Sequence, residues 1–206
     1  MVVEIQKIDL EHPHKRLLQH AARILENGGL IVYPTDTIYG LGADLFNKGA
    51  MERIFKLKKT SRQKLLSFIC PDLASVANWA YLPTSAFRVL RRVTPGKYTF
   101  VLRASKEVPK ILLQKRLTVG VRIPDSAVAL GLVRELGRPL LSTSVPQGED
   151  DFFTDPQVIA ETFRHDITLV LDAGVLANEP STIIDLSGPA PVLLRRGAGP
   201  TEPFGL

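Results

Sequence analysis

The sequence predicts a single α/β domain, one mixed sheet with helices packed against it. Three observations lead there. Helix-period and strand-period segments follow one another along the whole chain, without the strict strand–helix–strand alternation of a doubly wound sheet. No linker or low-complexity run divides the 206 residues, and no repeat with a period of about 20–50 residues is present. A chain that is 45% apolar and 23% charged has the composition of an ordinary globular protein.

The elements are predicted in order. "KRLLQHAARILEN" places apolar residues at 17, 18, 21, 24 and 25, which is helical spacing, and Gly28-Gly29 stops it. "LIVY" is a buried strand and "AMERIFKLKK" a helix with Met51, Ile54 and Phe55 inward. The strand "LLSFIC" precedes the helices "LASVANWA" and "SAFRVLRRV". A turn at "TPG" leads into the alternating strand "KYTFVLRA". Then come the strand "TVGVRIP", the helix "AVALGLVRELG" and the strand "PLLSTSV". After the loop "PQGEDDFFTD" follow the helix "PQVIAETF", the strand "ITLVLDAG", and two last strands, "STIIDL" and "PVLLRRG".

Bulk properties narrow the function. No apolar run approaches the roughly 18 residues of a membrane span, and the N-terminus lacks the apolar core of an export signal. One cysteine, Cys70, allows no internal disulfide and fits a reducing compartment, so the expected location is cytoplasmic, with no membrane partner. The net charge of +5 permits an anionic substrate or a nucleic acid without demanding either. The positive charge is spread over "KLKKTSRQK" at 56–64, "RVLRR" at 88–92 and "RR" at 195–196. No aromatics interleave with these runs, so a stacking platform for single strands is not written here.

Several chemistries lack their signatures. There is no GxxxxGK[ST] loop, no GxGxxG after a strand, no HExxH, no CxxC and no GxSxG elbow. His12 and His14 flank a proline in a terminal loop and read as solvated rather than as metal ligands. No protein-held metal and no acid/base catalyst is assigned.

One pattern is present. Thr35 and Thr37 follow "LIVYP"; Thr118 and Arg122 bracket "TVGVR"; Ser142, Thr143 and Ser144 close "PLLSTS"; Ser181 and Thr182 open "STIIDL"; Arg195 ends "PVLLR". Each alone is explained by strand propensity or turn capping. Hydroxyls gathered with arginines at one sheet edge would supply donors for phosphate or carboxylate oxygens. Within "YPTDTIYGLG", Asp36 is expected to cap the turn, and Gly40 and Gly42 to let the chain turn close beneath Thr35.

The blocks "GGLIVYPTDTIYGLGAD", "TPGKYTFVL", "TVGVRIPDS", "RPLLSTS", "LVLDAG", "STIIDL" and "LLRRGAG" resemble, in order and rough spacing, those of the YrdC/YciO/Sua family, and look most like its YciO branch. The resemblance covers about residues 15–199. It implies a single YrdC-like domain over 1–206, with a sheet twisted around a large basic cleft. It further implies a nucleotidyltransferase, an L-threonylcarbamoyladenylate synthase, with threonine, bicarbonate and ATP as substrates and Mg²⁺ accompanying the ATP. The product would serve threonylcarbamoyl modification of tRNA, with downstream transfer proteins as partners. Carried over by position, Thr35, Arg122, Ser142 and Ser181 are expected to bind the amino-acid substrate. Lys58, Lys64, Thr118, Ser144 and Arg195 are expected to bind the nucleotide. Longer members carry a second C-terminal domain, for which the residues after "LLRRGAG" leave no room before Leu206.

Two positions depart from the family pattern. Its K-x-R reads Lys58-Lys59-Thr60 here, and Pro146 stands where S-x-N has asparagine. Threonine does not replace a guanidinium fork, and proline has neither an amide side chain nor a backbone N–H. Arg62 lies two residues on from Thr60, on a position that need not point the same way. Each loss is worth about 1–3 kcal/mol at a charge-assisted contact. Together they amount to a factor of about 30 to 10,000 in rate. Three readings follow: a synthase or slow synthase, a non-catalytic module binding double-stranded RNA, tRNA or nucleotide, and a different nucleotidyl reaction on another small carbamate or amino acid.

Overall fold

A computed structural model describes residues 3–57, 66–113, 117–145 and 152–206. The predicted mixed sheet is present. Its ten strands are β1 (Glu4–Lys7), β2 (Ile31–Tyr33), β3 (Gly40–Asp44), β4 (Ser67–Ile69), β5 (Tyr98–Arg103), β6 (Thr118–Arg122), β7 (Leu140–Ser144), β8 (Leu169–Asp172), β9 (Thr182–Asp185) and β10 (Val192–Arg195). They lie in the order β1-β8-β2-β3-β7-β4-β6-β5-β9-β10. Parallel and antiparallel pairs alternate irregularly: β2 is antiparallel to β3 and parallel to β8, while β6 is parallel to β4 and antiparallel to β5.

Among the described residues, six α-helices flank the sheet: α1 (Lys15–Glu26), α2 (Lys48–Leu57), α3 (Leu73–Trp79), α4 (Thr84–Val93), α5 (Ala127–Leu136) and α6 (Pro156–Thr162). Their ends follow from local chemistry. α1 stops in a Schellman arrangement, with Gly28 N–H bonded to Leu25 O, Gly29 N–H bonded to Ile24 O, and Gly28 at φ +80°. Asp72, Ser126 and Asp155 cap α3, α5 and α6 by accepting from Ser75 N, Ala129 N and Gln157 N. No helix among the described residues is long and apolar enough to cross a membrane.

The sheet is apolar on both faces because helices cover both. On one face, α1 and α5 pack over Tyr33, Ile69, Leu140, Leu169 and Leu171. On the other, Ile54 of α2 and Ile159 of α6 pack over Val32, Leu41, Ala43 and Val170, and Val76 of α3 and Leu90 of α4 join Phe68, Phe100, Val121 and Leu141. Side chains alternate along a strand, so the face under α1 and α5 continues along β7, β4, β6 and β5 as Ser142, Ser144, Ser67, Thr118, Arg122 and Thr99. There hydroxyls and a guanidinium replace the apolar residues.

Two elements were not expected. β1 has no counterpart among the predicted elements; it pairs in parallel with β8 at the sheet edge. β3 corrects the reading of Gly40 and Gly42 as turn residues. Both lie inside a strand, paired with Tyr33 and Ile31 on one side and with Ser144 and Ser142 on the other. They are glycines because the Tyr33 ring lies over them. A Cβ on Gly40 would sit 2.8 Å from Tyr33 Cζ, and one on Gly42 3.1 Å from Tyr33 Cε1.

Candidate functional site

The β2–β3 connection, residues 34–39, is where the polar face begins. Thr35 is buried, and its hydroxyl is committed to the turn. Oγ1 donates to Ile38 O at 2.7 Å, accepts from Thr37 N at 3.1 Å and lies 3.1 Å from Thr37 Oγ1. This is a hydroxyl-closed turn.

Asp36 does not cap its own turn. It reaches across to the end of β6, where Oδ1 accepts from Arg122 Nη2 at 2.5 Å, and Oδ2 accepts from Asp125 N at 3.0 Å. Thr37 Oγ1 accepts from the same Nη2 at 2.7 Å. The ion pair is enclosed, the two side chains being 8% and 6% exposed. Both bonds fall on Nη2, and Nε is buried with no acceptor. A guanidinium has five N–H donors, so this one is held at a single corner and retains donors for an incoming anion.

Ser142, in β7, meets Tyr33 across β3: the two hydroxyls are 2.6 Å apart. Burial pushes the Tyr33 phenol up to about 12, so it stays neutral. Ser67 Oγ donates to Ser142 O at 3.3 Å, and Ser144, half-buried, ends the strand opposite Gly40. Thr118 is buried at the start of β6, opposite Arg103.

A second polar group stands beside Arg122. Phe100 pairs with Val121 in the antiparallel β5–β6 ladder, which sets Thr99 opposite Arg122. Thr99 Oγ1 is 2.9 Å from Ser181 Oγ. Arg195 then closes on Ser181, with Nη2 2.7 Å and Nε 3.2 Å from its carbonyl oxygen, and its guanidinium lies 5.9 Å from the Phe152 ring centroid. Thr182 anchors the adjoining glycine loop. Its Oγ1 donates to Gly199 O at 2.6 Å and accepts from Gly197 N and Gly199 N.

The fold thus gathers Thr35, Arg122, Ser142, Ser144, Thr118, Ser181 and Arg195 on or beside one face of the neighbouring strands from β3 to β10 and their ends. Lys58, Lys64, Thr60, Arg62 and Pro146 lie outside the described residues. Among the described residues, no three metal-ligating side chains come together. Tyr33, Asp36 as an arginine partner, and Thr99 were not foreseen. Tyr33 had a legible signal: an aromatic followed seven and nine residues later by glycines that its ring needs.

The class of protein is an α/β one whose mixed sheet carries a polar stretch with hydroxyls set around fixed guanidinium groups, donors of the type that phosphate and carboxylate oxygens accept from. Residues 23–197 match the family model Sua5_yciO_yrdC, described as "Telomere recombination". The chain belongs to the Sua5/YciO/YrdC family. It is 39% identical to the Escherichia coli protein described as uncharacterized YciO, over 94% of this chain and 95% of that one. The crystal structure of E. coli YciO superposes with a TM-score of 0.95 at 38% identity, covering 98% and 99% of the two chains. A Pyrococcus abyssi threonylcarbamoyl-AMP synthase is 33% identical over 88% of this chain and 54% of its own length. P. abyssi Sua5 crystallised with L-threonine superposes at a TM-score of 0.88 and 30% identity, over 98% of this chain and 59% of that one.

Proposed function

We propose that the protein forms threonylcarbamoyl-AMP. In this reading, the threonine amine and bicarbonate condense to a carbamate with loss of water. A carbamate oxygen then attacks the α-phosphorus of ATP, and pyrophosphate leaves with its Mg²⁺. The product feeds a tRNA threonylcarbamoyl transfer step in the cytoplasm. The reaction brings two anions together, so the protein must supply fixed positive charge and orientation rather than covalent chemistry.

The observation that carries this reading is Arg122, a buried guanidinium held at one corner by Asp36 and Thr37 with Nε left unbonded. A planar fork fixed in this way suits the threonine carboxylate. Ser181, Ser142 and Thr35 line the amino-acid side of the site. Thr118, Ser144 and Arg195 take the nucleotide, together with Lys58 and Lys64. The P. abyssi relatives, one named for this activity and one bound to L-threonine, support the assignment.

The test is pyrophosphate release from ATP with L-threonine, bicarbonate and Mg²⁺, beside a Thr60→Arg/Pro146→Asn double variant. Turnover by the unaltered protein, lowered at least about tenfold by Arg122→Lys, is the expected result. No release above a blank from either protein overturns it. The departures at Thr60 and Pro146 favour a second reading, in which the same cleft binds RNA without turnover. Turnover by the double variant alone, with duplex RNA binding by the unaltered protein that weakens steeply with salt, would establish that reading instead.

A further inference from the structure

Away from the polar face, a cavity of about 880 Å³ opens between α3, α4 and α5. Its volume is within the range of ligand pockets, about 300–1,000 Å³. The walls are mainly apolar: Leu73 and Ala77 of α3, Leu82, Phe87 of α4, Ile123 beyond β6, and Leu130 of α5. Phe87 is 39% exposed, an uncovered aromatic on a helix that otherwise turns Ala86 and Leu90 inward.

Two arginines stand in the same lining, Arg91 from α4 and Arg134 from α5. Neither guanidinium has a hydrogen bond or ion pair with any described residue. The one acid among the described lining residues, Asp72, caps α3, 2.7 Å from Ser75 N. Thr94 is also internally committed, its hydroxyl donating to Leu90 O at 2.8 Å. The described lining therefore presents an apolar body, two guanidinium groups without a bonded partner and one carboxylate, a net positive charge. Arg91 belongs to the "RVLRR" run, whose clustered charge the polar face does not use.

We infer that this cavity is a binding site for a small amphipathic anion, an apolar body carrying a carboxylate, with the body against Phe87, Leu82 and Leu130 and the carboxylate between Arg91 and Arg134. Guanidinium forks match a carboxylate in plane, and the apolar walls reward an aryl or alkyl body over a bare anion. The site does not depend on the reaction proposed above. Among the described lining residues, Ile123 is the one that directly follows a residue of that region, Arg122.

The test uses 2-naphthoate and its neutral counterpart 2-naphthamide, titrated into the full chain with backbone amide NMR and calorimetry. Naphthoate is expected to saturate below about 1 mM, shifting amides of Ala74, Ala77, Ile123 and Leu130, with the amide compound at least about tenfold weaker. Arg91→Gln/Arg134→Gln, both exposed positions, should erase that preference while leaving thermal stability unchanged. Ala77→Trp, also from an exposed position, should obstruct the apolar wall between α3 and α5 and weaken both. Equal affinity for acid and amide, a preference that survives the arginine changes, shifts confined to the β2–β3 turn, or no saturation would each overturn the proposal.

Discussion

Removing the charge of Asp36 isolates the arrangement on which the proposed site depends. Asp36→Asn keeps the shape but leaves Arg122 without its counter-charge, in a place where the arginine side chain is 8% exposed and the carboxylate 6%. Breaking a buried ion pair from one side costs about 3–5 kcal/mol. Asparagine retains one oxygen for Nη2 or for Asp125 N but not both, so the expected loss is at the lower end, about 3 kcal/mol. In a chain of this size that lowers the melting temperature by about 6–12 °C. Removing both charges should be far milder than the sum, because no unpaired ion remains buried. Urea unfolding at neutral pH of the parent, Asp36→Asn, Arg122→Met and the double variant closes the cycle. A coupling energy of about 2 kcal/mol or more is expected. A single-variant loss under about 1 kcal/mol, or a coupling near zero, would show that solvent already screens the pair and would refute the enclosed, one-cornered guanidinium.

Three further outcomes follow from the geometry. Burial raises the Tyr33 phenol to about 12, so the folded state holds the proton above the ordinary pKa of about 10. Its contribution is complete below pH 10 and is lost between pH 10 and about 12. Tyr39 and Cys70 titrate upward too, so the reading is the difference between parent and Tyr33→Phe, whose stability should fall less steeply over that span. Gly40→Ala should cost about 1–3 kcal/mol by overpacking, because its Cβ would lie 2.8 Å from Tyr33 Cζ; an unchanged urea midpoint would contradict it. Thr182→Val strands Gly199 O and the Gly197 and Gly199 amides. A loss of about 2 kcal/mol or more, with faster amide exchange over 197–199, is the expected signature.

Periodicity was enough for the six α-helices and for eight of the strands among the described residues, because those segments bury a face whose spacing is written locally. It failed for β1, whose four residues are half-buried or exposed and are held by pairing with β8, more than 160 residues away in sequence. It failed for β3 because "GLGAD" has no strand propensity of its own. What makes it a strand is the Tyr33 ring, which requires glycines opposite, a long-range packing fact that looks locally like flexibility. The site was legible as a list of hydroxyls and arginines at strand ends. The partners that organise it were not: Asp36 and Arg122 are 86 residues apart, Thr99 and Ser181 82, and Tyr33 and Ser142 109.

That separation bears on what the β2–β3 turn would do in the proposed site. Thr35 has one hydroxyl proton, and Ile38 O already accepts it; its oxygen already faces Thr37 N and Thr37 Oγ1. A ligand bonding to this hydroxyl displaces a turn bond, so the exchange yields little net free energy. Arg122 is the opposite case, with two bonds concentrated on one nitrogen and donors to spare. A carboxylate at Asp36 weakens the net field available to an anion, yet a buried guanidinium without it would carry an uncompensated charge. The turn is therefore better understood as aiming the arginine than as gripping the substrate. Thr35 closes the loop, the closed loop fixes Asp36 and Thr37, and those two orient the plane of the fork, on which bidentate recognition depends.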